Sequence, residues 1–363
     1  MSKRLYVATR KGLFTYERDT AGWRAVATHF LGDPVSAVLP DARDGSVYAA
    51  LNLGHFGVKL RRARRGGEFA ECAVPAYPEK PAGSDDPLPW SVSQIWSLVA
   101  GGADQPGVLW AGTIPGGLFR SADGGDSWEL VRALWDHPQR RAWGGGGYDH
   151  PGIHSICVDP RDAQVVRAGV STGGVWTSAD GGRQWRCTAT GMRAAYMPPA
   201  QAYDPVAQDA HRMVQCRNRP DVLWVQHHNG IFVSRDAAAS WTEIAPQNVS
   251  AFGFAAAVHP EDPDTAWFVP AVKDECRVPV NAELVVSRTR DGGASFEKLS
   301  RGLPPAPAYD LVYRHGLDVD AAGRTLALGS TTGGLWLSED GGERWQALNT
   351  RLPPIYAVSL AGG

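Results

Sequence analysis

The chain of 363 residues is 43% hydrophobic and 20% charged, a balance that buries a sizeable core and excludes both a disordered polymer and a membrane bundle. Lys and Arg number 36 against 38 Asp and Glu, a net charge of -2, so no excess positive field exists for a polyphosphate backbone, and nucleic acid and membrane are not expected partners. Forty-two Gly and 26 Pro, with 14 Trp, point to many short strands separated by turns.

In chain order, the opening Met1-Ser2-Lys3-Arg4 runs straight into the strand-like Leu5–Thr9, which leaves no room for an apolar export segment and predicts a cytoplasmic protein. Gly12-Leu13-Phe14 is followed by Trp23, and Gly57-Val58 by Gly66-Gly67-Glu68-Phe69. These are weak copies of a pattern that is complete at Ser121-Ala122-Asp123-Gly124-Gly125-Asp126-Ser127-Trp128 and at Ser178-Ala179-Asp180-Gly181-Gly182-Arg183-Gln184-Trp185. The pattern recurs from Thr289 to Phe296 and from Ser338 to Trp345. Ser234-Arg235-Asp236 to Trp241 keeps its ends but replaces both glycines with alanine. The Asp-equivalent positions 18, 64, 123, 180, 236, 291 and 340 lie 46, 59, 57, 56, 55 and 49 residues apart. That is close to the roughly 40 to 50 residues of a four-stranded propeller blade.

Each unit repeats one strand order. Strand A is an apolar segment ending near Asp-Pro (153–160, 254–260). Strand B resembles 108–112 or 222–225, strand C runs from the Gly-aliphatic-aromatic lead into the box, and strand D begins at the box Trp. Residues 5–9 read as a B strand, and 355–360 as an A strand with no partner of its own. The expected fold is therefore all-β, a seven-bladed β-propeller occupying 1–363 as a single domain, its ring closed by the C-terminal strand so that no sheet edge is left open. Within each box a short Asp accepts hydrogen bonds from the turn amides, Gly supplies positive φ, and Trp packs into the blade. The five cysteines, Cys72, Cys157, Cys187, Cys216 and Cys276, are dispersed without a Cys-x-x-Cys pair, which fits reduced thiols.

These boxes resemble the Asp-box, or BNR, repeat of sialidases, sortilin-type receptors, xyloglucan-active glycosidases and photosystem II assembly factors. The resemblance covers essentially the whole chain and implies a propeller, with glycosyl hydrolase-like activity as the associated expectation. It does not extend to sialidase chemistry, because the chain reads as seven blades and carries no Arg-Ile-Pro. A third analogy is to seven-bladed lyases that hold a metal on a central His cluster.

Alternating strand direction puts D-to-A and B-to-C connections on one face and the boxes on the other. His137, His150, His154, His211 and His315 fall in D-to-A segments or at the head of an A strand, and His55, His227 and His228 fall in B-to-C turns. Eight of the ten histidines thus belong to the face with the channel mouth. His154 and His211 head consecutive A strands, where side chains converge on the axis. With Asp209 and Asp136 they are the expected acid–base groups. Arg212, His55, His228, Trp143 and Trp96 are the expected substrate contacts, and His154, His211 and His228 the expected ligands of one divalent metal ion. Long insertions at 73–93, 132–152, 191–210 and 270–283 crowd the same face, where function is commonly placed. Gly144 to Gly147 reads as a flexible segment, since no Gly-Lys-Ser/Thr follows it. Two readings stay open: a hydrolase or lyase acting on a glycan-like or small polar substrate at this mouth, and a non-catalytic scaffold binding a protein partner through the same loops.

Overall fold

Runs such as Leu5-Tyr6-Val7-Ala8, all buried, are too continuous for strands with one wet face, and the fold covers both faces of every sheet. The computed structural model describes residues 3–362; Met1, Ser2 and Gly363, which the single-domain reading includes, lie outside the described residues. Seven four-stranded antiparallel sheets form, one for each expected blade. The innermost strands are Ile355–Ala361, Val35–Pro40, Gln94–Ala100, Ile153–Asp159, Ala210–Gln215, Gly253–Val258 and Leu317–Val319, for blades one to seven in turn. Each touches the next, and the last touches the first, so the ring is closed.

The C-terminal strand completes blade one. Ile355–Ala361 pairs antiparallel with Arg4–Thr9, with Val358 opposite Val7, and Gly12–Asp19 and Gly22–His29 finish the sheet. Alternation along a strand then sends side chains to two different cores. Leu5 and Val7 pack with Ala327, Leu335 and Leu337 of blade seven, whereas Tyr6 and Ala8 pack with Val35, Val47 and Ala49 of blade two. The same arrangement recurs around the ring, so the apolar core is divided into slabs between neighbouring blades.

The boxes perform the local role expected of them. In the first complete copy Asp123 Oδ1 accepts from Ser121 Oγ (2.8 Å) and from the Ser127 amide (2.9 Å), Oδ2 accepts from Ser127 Oγ (2.6 Å), and Ser121 Oγ accepts from the Gly125 amide (2.8 Å). The Ser127 bonds hold the Asp123 pKa down to about 2. Two of the box tryptophans reach beyond their own blade: Trp128 Nε1–H donates to Ala73 O (3.0 Å) and Trp241 Nε1–H to Thr188 O (2.8 Å), each at the outer edge of the preceding blade.

Two insertions are fastened together over the mouth face. Arg140 Nη2 meets Asp86 Oδ2 at 2.6 Å with both side chains almost fully buried, Trp90 Nε1–H donates to Asp86 Oδ2 (3.1 Å), and Arg140 lies 4.0 Å over the Trp135 ring. The five cysteines are free thiols. No helix among the described residues is long and apolar enough to cross a membrane.

Candidate functional site at the channel mouth

A shift in register at the head of strand A recurs in four consecutive blades, between Val35 and Ala37, Ile95 and Ser97, Ile153 and Ser155, and Ala210 and Arg212. Such a bulge inserts one residue and re-aims its side chain. The four residues so displaced are Ser36, Trp96, His154 and His211, and the corresponding irregularity in blade six spans Phe254. Ser36 and Trp96 line a cavity of about 650 Å³ at the mouth. Its wall also carries Asp33, Gln94, Tyr148, Arg277, Tyr313, Arg314 and His315.

Behind part of this wall, blade five supplies a compact polar cluster. Asp209 and His211 come from the head of strand A, and His228 from the B-to-C turn of the same blade. One ligand atom from each of the three lies within 4.8 Å of the others. His211 Nδ1–H donates to Gly253 O (2.7 Å), which leaves the Nε2 lone pair facing Asp209 Oδ2 at 3.7 Å. His228 Nδ1 lies 3.3 Å from the same oxygen. Two lone pairs facing one another leave a gap suited to a proton or a cation. The other carboxylate oxygen, Asp209 Oδ1, is buried and accepts no hydrogen bond, an arrangement that is costly unless something binds it.

Electrostatics divides the three. Burial would raise the Asp209 carboxyl, but the charge and hydrogen bonding of His211 and His228 outweigh it and hold the group well below the ordinary carboxylate range. Burial depresses His211 despite the opposing charge of Asp209. Burial also lowers His228, yet there the Asp209 contact prevails and the pKa is raised. An ionised carboxylate, a neutral imidazole and a partly exposed, more basic imidazole therefore stand together.

The Gly144–Gly147 run, expected to be flexible, is a packed turn: the Gly144 amide donates to Thr172 O (2.7 Å), and that of Tyr148 to Gly145 O (3.1 Å). A Cβ at Gly146 would stand 2.9 Å from Ser171 and 3.3 Å from Asp209 Oδ1, and φ there is +52°, so only glycine closes over the carboxylate so tightly. Because Gly146 also lines the cavity, it is the thin partition between cavity and cluster.

The remaining expected site residues are dispersed. His154 is fully buried, with Nδ1 on Ser155 Oγ (2.8 Å), its ring edge-on to Trp96 (5.4 Å) and Nε2 unpartnered; it is not among the three clustered groups. Arg212 lines the deeper channel beside Asp318 and not the mouth cavity. Asp136 is half exposed and pairs with Arg132 (2.7 Å). Trp143 is buried between blades three and four against Trp176 (5.5 Å). His55 is exposed on the Gly54–Phe56 turn, its ring 3.9 Å from that of Phe56, which does line the cavity. Sequence reasoning missed Arg314, Tyr148, Tyr313 and Tyr356 of the wall; the available hint was the adjacency of Tyr313 and Arg314 to His315.

No protein-family model matches the chain. Curated proteins it is similar to include the probable oligoxyloglucan-reducing end-specific xyloglucanase of Neosartorya fischeri, 25% identical over 269 residues that cover 66% of this chain and 30% of the relative. The oligoxyloglucan-reducing end-specific xyloglucanase of Emericella nidulans is 23% identical over 261 residues, 68% of this chain and 26% of the relative. The chain thus spans less than a third of the length of these curated relatives. Among solved structures, an ancestral GH74 enzyme aligns with a TM-score of 0.58 at 16% identity over 84% of this chain and 36% of that one. YCF48 from Cyanidioschyzon merolae aligns with a TM-score of 0.55 at 13% identity over 93% and 96%. These structural likenesses are likenesses of fold.

Proposed function

We propose that the chain is an enzyme, a hydrolase or lyase, acting on a glycan-like or other small polar substrate in the mouth cavity, with Asp209, His211 and His228 as its reactive centre. The observation that carries this reading is the buried, ionised Asp209 carboxylate with an oxygen that no protein group satisfies, held against two imidazoles beside a cavity of about 650 Å³. The similarity to xyloglucanases supports a glycan as the substrate class. Trp96 and Tyr148, whose rings meet edge-to-face at 4.9 Å, offer flat surfaces for a sugar ring.

Two imidazoles and one carboxylate are a donor set for a first-row divalent cation with open positions, and the Gly253 carbonyl fixes the His211 tautomer as a metal ligand requires. Bound there, such an ion would polarise a substrate oxygen or lower the pKa of a water. In the metal-free alternative His228, the more basic and more exposed imidazole, exchanges a proton with the substrate side while Asp209 holds it in place.

Elemental analysis of purified protein tests the centre directly. Near-stoichiometric transition metal in the wild type, lost in Asp209→Asn and in His211→Ala with little change in melting temperature, is the expected result. Metal-free wild type that fails to bind added Mn²⁺ or Zn²⁺ would remove the metal from the proposal. The alternative, a protein partner docked over this face, is favoured by exposed Phe56, Tyr203 and Tyr309 on its loops. It predicts that substitution of these rings abolishes partner capture while Asp209→Asn does not.

A further inference from the structure

Arg314 is the least explained charge in the molecule. It is 6% exposed, and neither Nε nor Nη2 has a hydrogen-bond partner; among the described residues no carboxylate lies within ion-pair distance of it. Its guanidinium lies against aromatic faces, 4.8 Å from the Trp96 ring centre and 5.5 Å from that of Phe254, and the charge of Asp209 acts on it from beyond ion-pair distance. A buried guanidinium without an acceptor is strongly unfavourable. Arg314 nevertheless lines the mouth cavity, and so does Arg277, which lies 5.4 Å from the same Phe254 ring and is itself paired with Asp274 Oδ1 at 2.5 Å. The lining contains one carboxylate, Asp33, and His315 in it is held neutral by burial. The cavity therefore presents a buried cation, Arg314, that no carboxylate of the lining contacts.

We propose that the ligand of the mouth cavity is anionic and presents a carboxylate to Arg314 and Arg277, so that the substrate class is an acidic sugar rather than a neutral one. This rests on the reading of the cavity as a small-ligand site. A carboxylate matches the planar fork of a guanidinium and completes the hydrogen bonding that Nε and Nη2 lack. With its acid group on Arg314, a sugar ring has Trp96 and Tyr148 beside it, and its far side is directed toward the Gly146 partition behind which Asp209 lies. Phe254 links the two halves of the site physically. It carries both arginines near its ring and stacks on His211 at 4.5 Å with an interplanar angle of 14°. Charge recognition and the blade-five cluster thus share one side chain.

Titration calorimetry on the full chain, with glucuronate against glucose and with inorganic phosphate as a non-sugar anion, tests the proposal. The expected result is binding of glucuronate, little of glucose, and at least tenfold weaker glucuronate binding in Arg314→Met. Arg314→Met is also expected to melt no lower than wild type, because it removes an unpaired buried charge; Arg314→Lys, which keeps the charge but not the fork, gives an intermediate response if the methionine variant does not fold. Glucose and glucuronate binding equally would overturn the anionic assignment and leave the cavity reading standing. No binding of either sugar would overturn both. Phosphate binding as strongly as glucuronate, and surviving Arg314→Met, would show an adventitious anion only and likewise overturn the assignment.

Discussion

His315 lines both the mouth cavity and the deeper channel, and its Nε2–H donates to His154 O at 2.8 Å. Burial, reinforced by the nearby Arg212, depresses its pKa to about 3. An unfolded histidine titrates near 6.5, so the sign is fixed: the neutral ring stabilises the fold fully above about pH 6.5, and that stability is lost as pH falls toward 3, at about 1.4 kcal/mol per pH unit. His154, His211 and His227 are depressed by burial too, so chemical denaturation between pH 7.5 and 5 should show a slope to which His315 adds this share, and His315→Gln should reduce the slope by it. An unchanged slope in the variant would mean that His315 is not held neutral. A second residue-scale prediction concerns the box that lost its glycines. Ala237 adopts φ +61°, where Gly124, Gly181, Gly292 and Gly341 adopt φ between +70° and +75°. Ala237→Gly should stabilise by about 1 kcal/mol, since an L-residue in this region carries a penalty of that order. Its main-chain contact with Arg167 Nε (3.2 Å) is retained. A fall in denaturation midpoint would contradict it.

The box as an element is a staple between blades. Trp185 is 7% exposed, donates to Gly182 O (3.1 Å), and packs in the slab that contains Trp110 of blade three and Trp176 of blade four. Trp185→Ala should cost about 3 to 5 kcal/mol as a large cavity opens in a close-packed slab. Because the boxes lie on the face away from the mouth, any ligand or metal bound by the folded variant should be bound as in the wild type, which titration calorimetry on stable fractions can check. Box turns were legible in the sequence because their hydrogen bonds close within a few residues: Asp180 Oδ1 accepts from Ser178, Arg183 and Gln184, all inside the motif. The bulges at the heads of the A strands were not legible, because a bulge is a relation between two strands and leaves no composition signal.

At the scale of the whole ring, the strand Ile355–Ala361 is the innermost strand of blade one and touches the A strands of blades two and seven. Deleting residues 354–363 would unpair Arg4–Thr9 and uncover Leu5 and Val7. The expected outcome is aggregation or a large fall in melting temperature. A truncated protein that melts like the full chain would refute ring closure as a stabilising element.

Repeat number, strand order and closure were all determined by the sequence, because each rests on local periodicity: seven units, each turn carrying its own hydrogen-bond partners, with three strands at the start and one at the end to make up a single blade. Placement of histidine on the mouth face followed from strand direction alone. Which of those residues meet was decided only in three dimensions. His211 and Arg212 are adjacent, yet the bulge between Ala210 and Arg212 turns the first toward Asp209 and His228 and leaves the second in the deeper channel. His154 occupies the equivalent bulge one blade earlier, but its neighbours are Ser155 and Trp96. Arg314, Tyr148 and Tyr356 reach one cavity from three separate stretches of chain, and only the closing of the ring brings those stretches together. Side-chain direction reverses with every residue along a strand, so an inserted residue or a neighbouring blade outweighs any spacing that can be read from a linear chain.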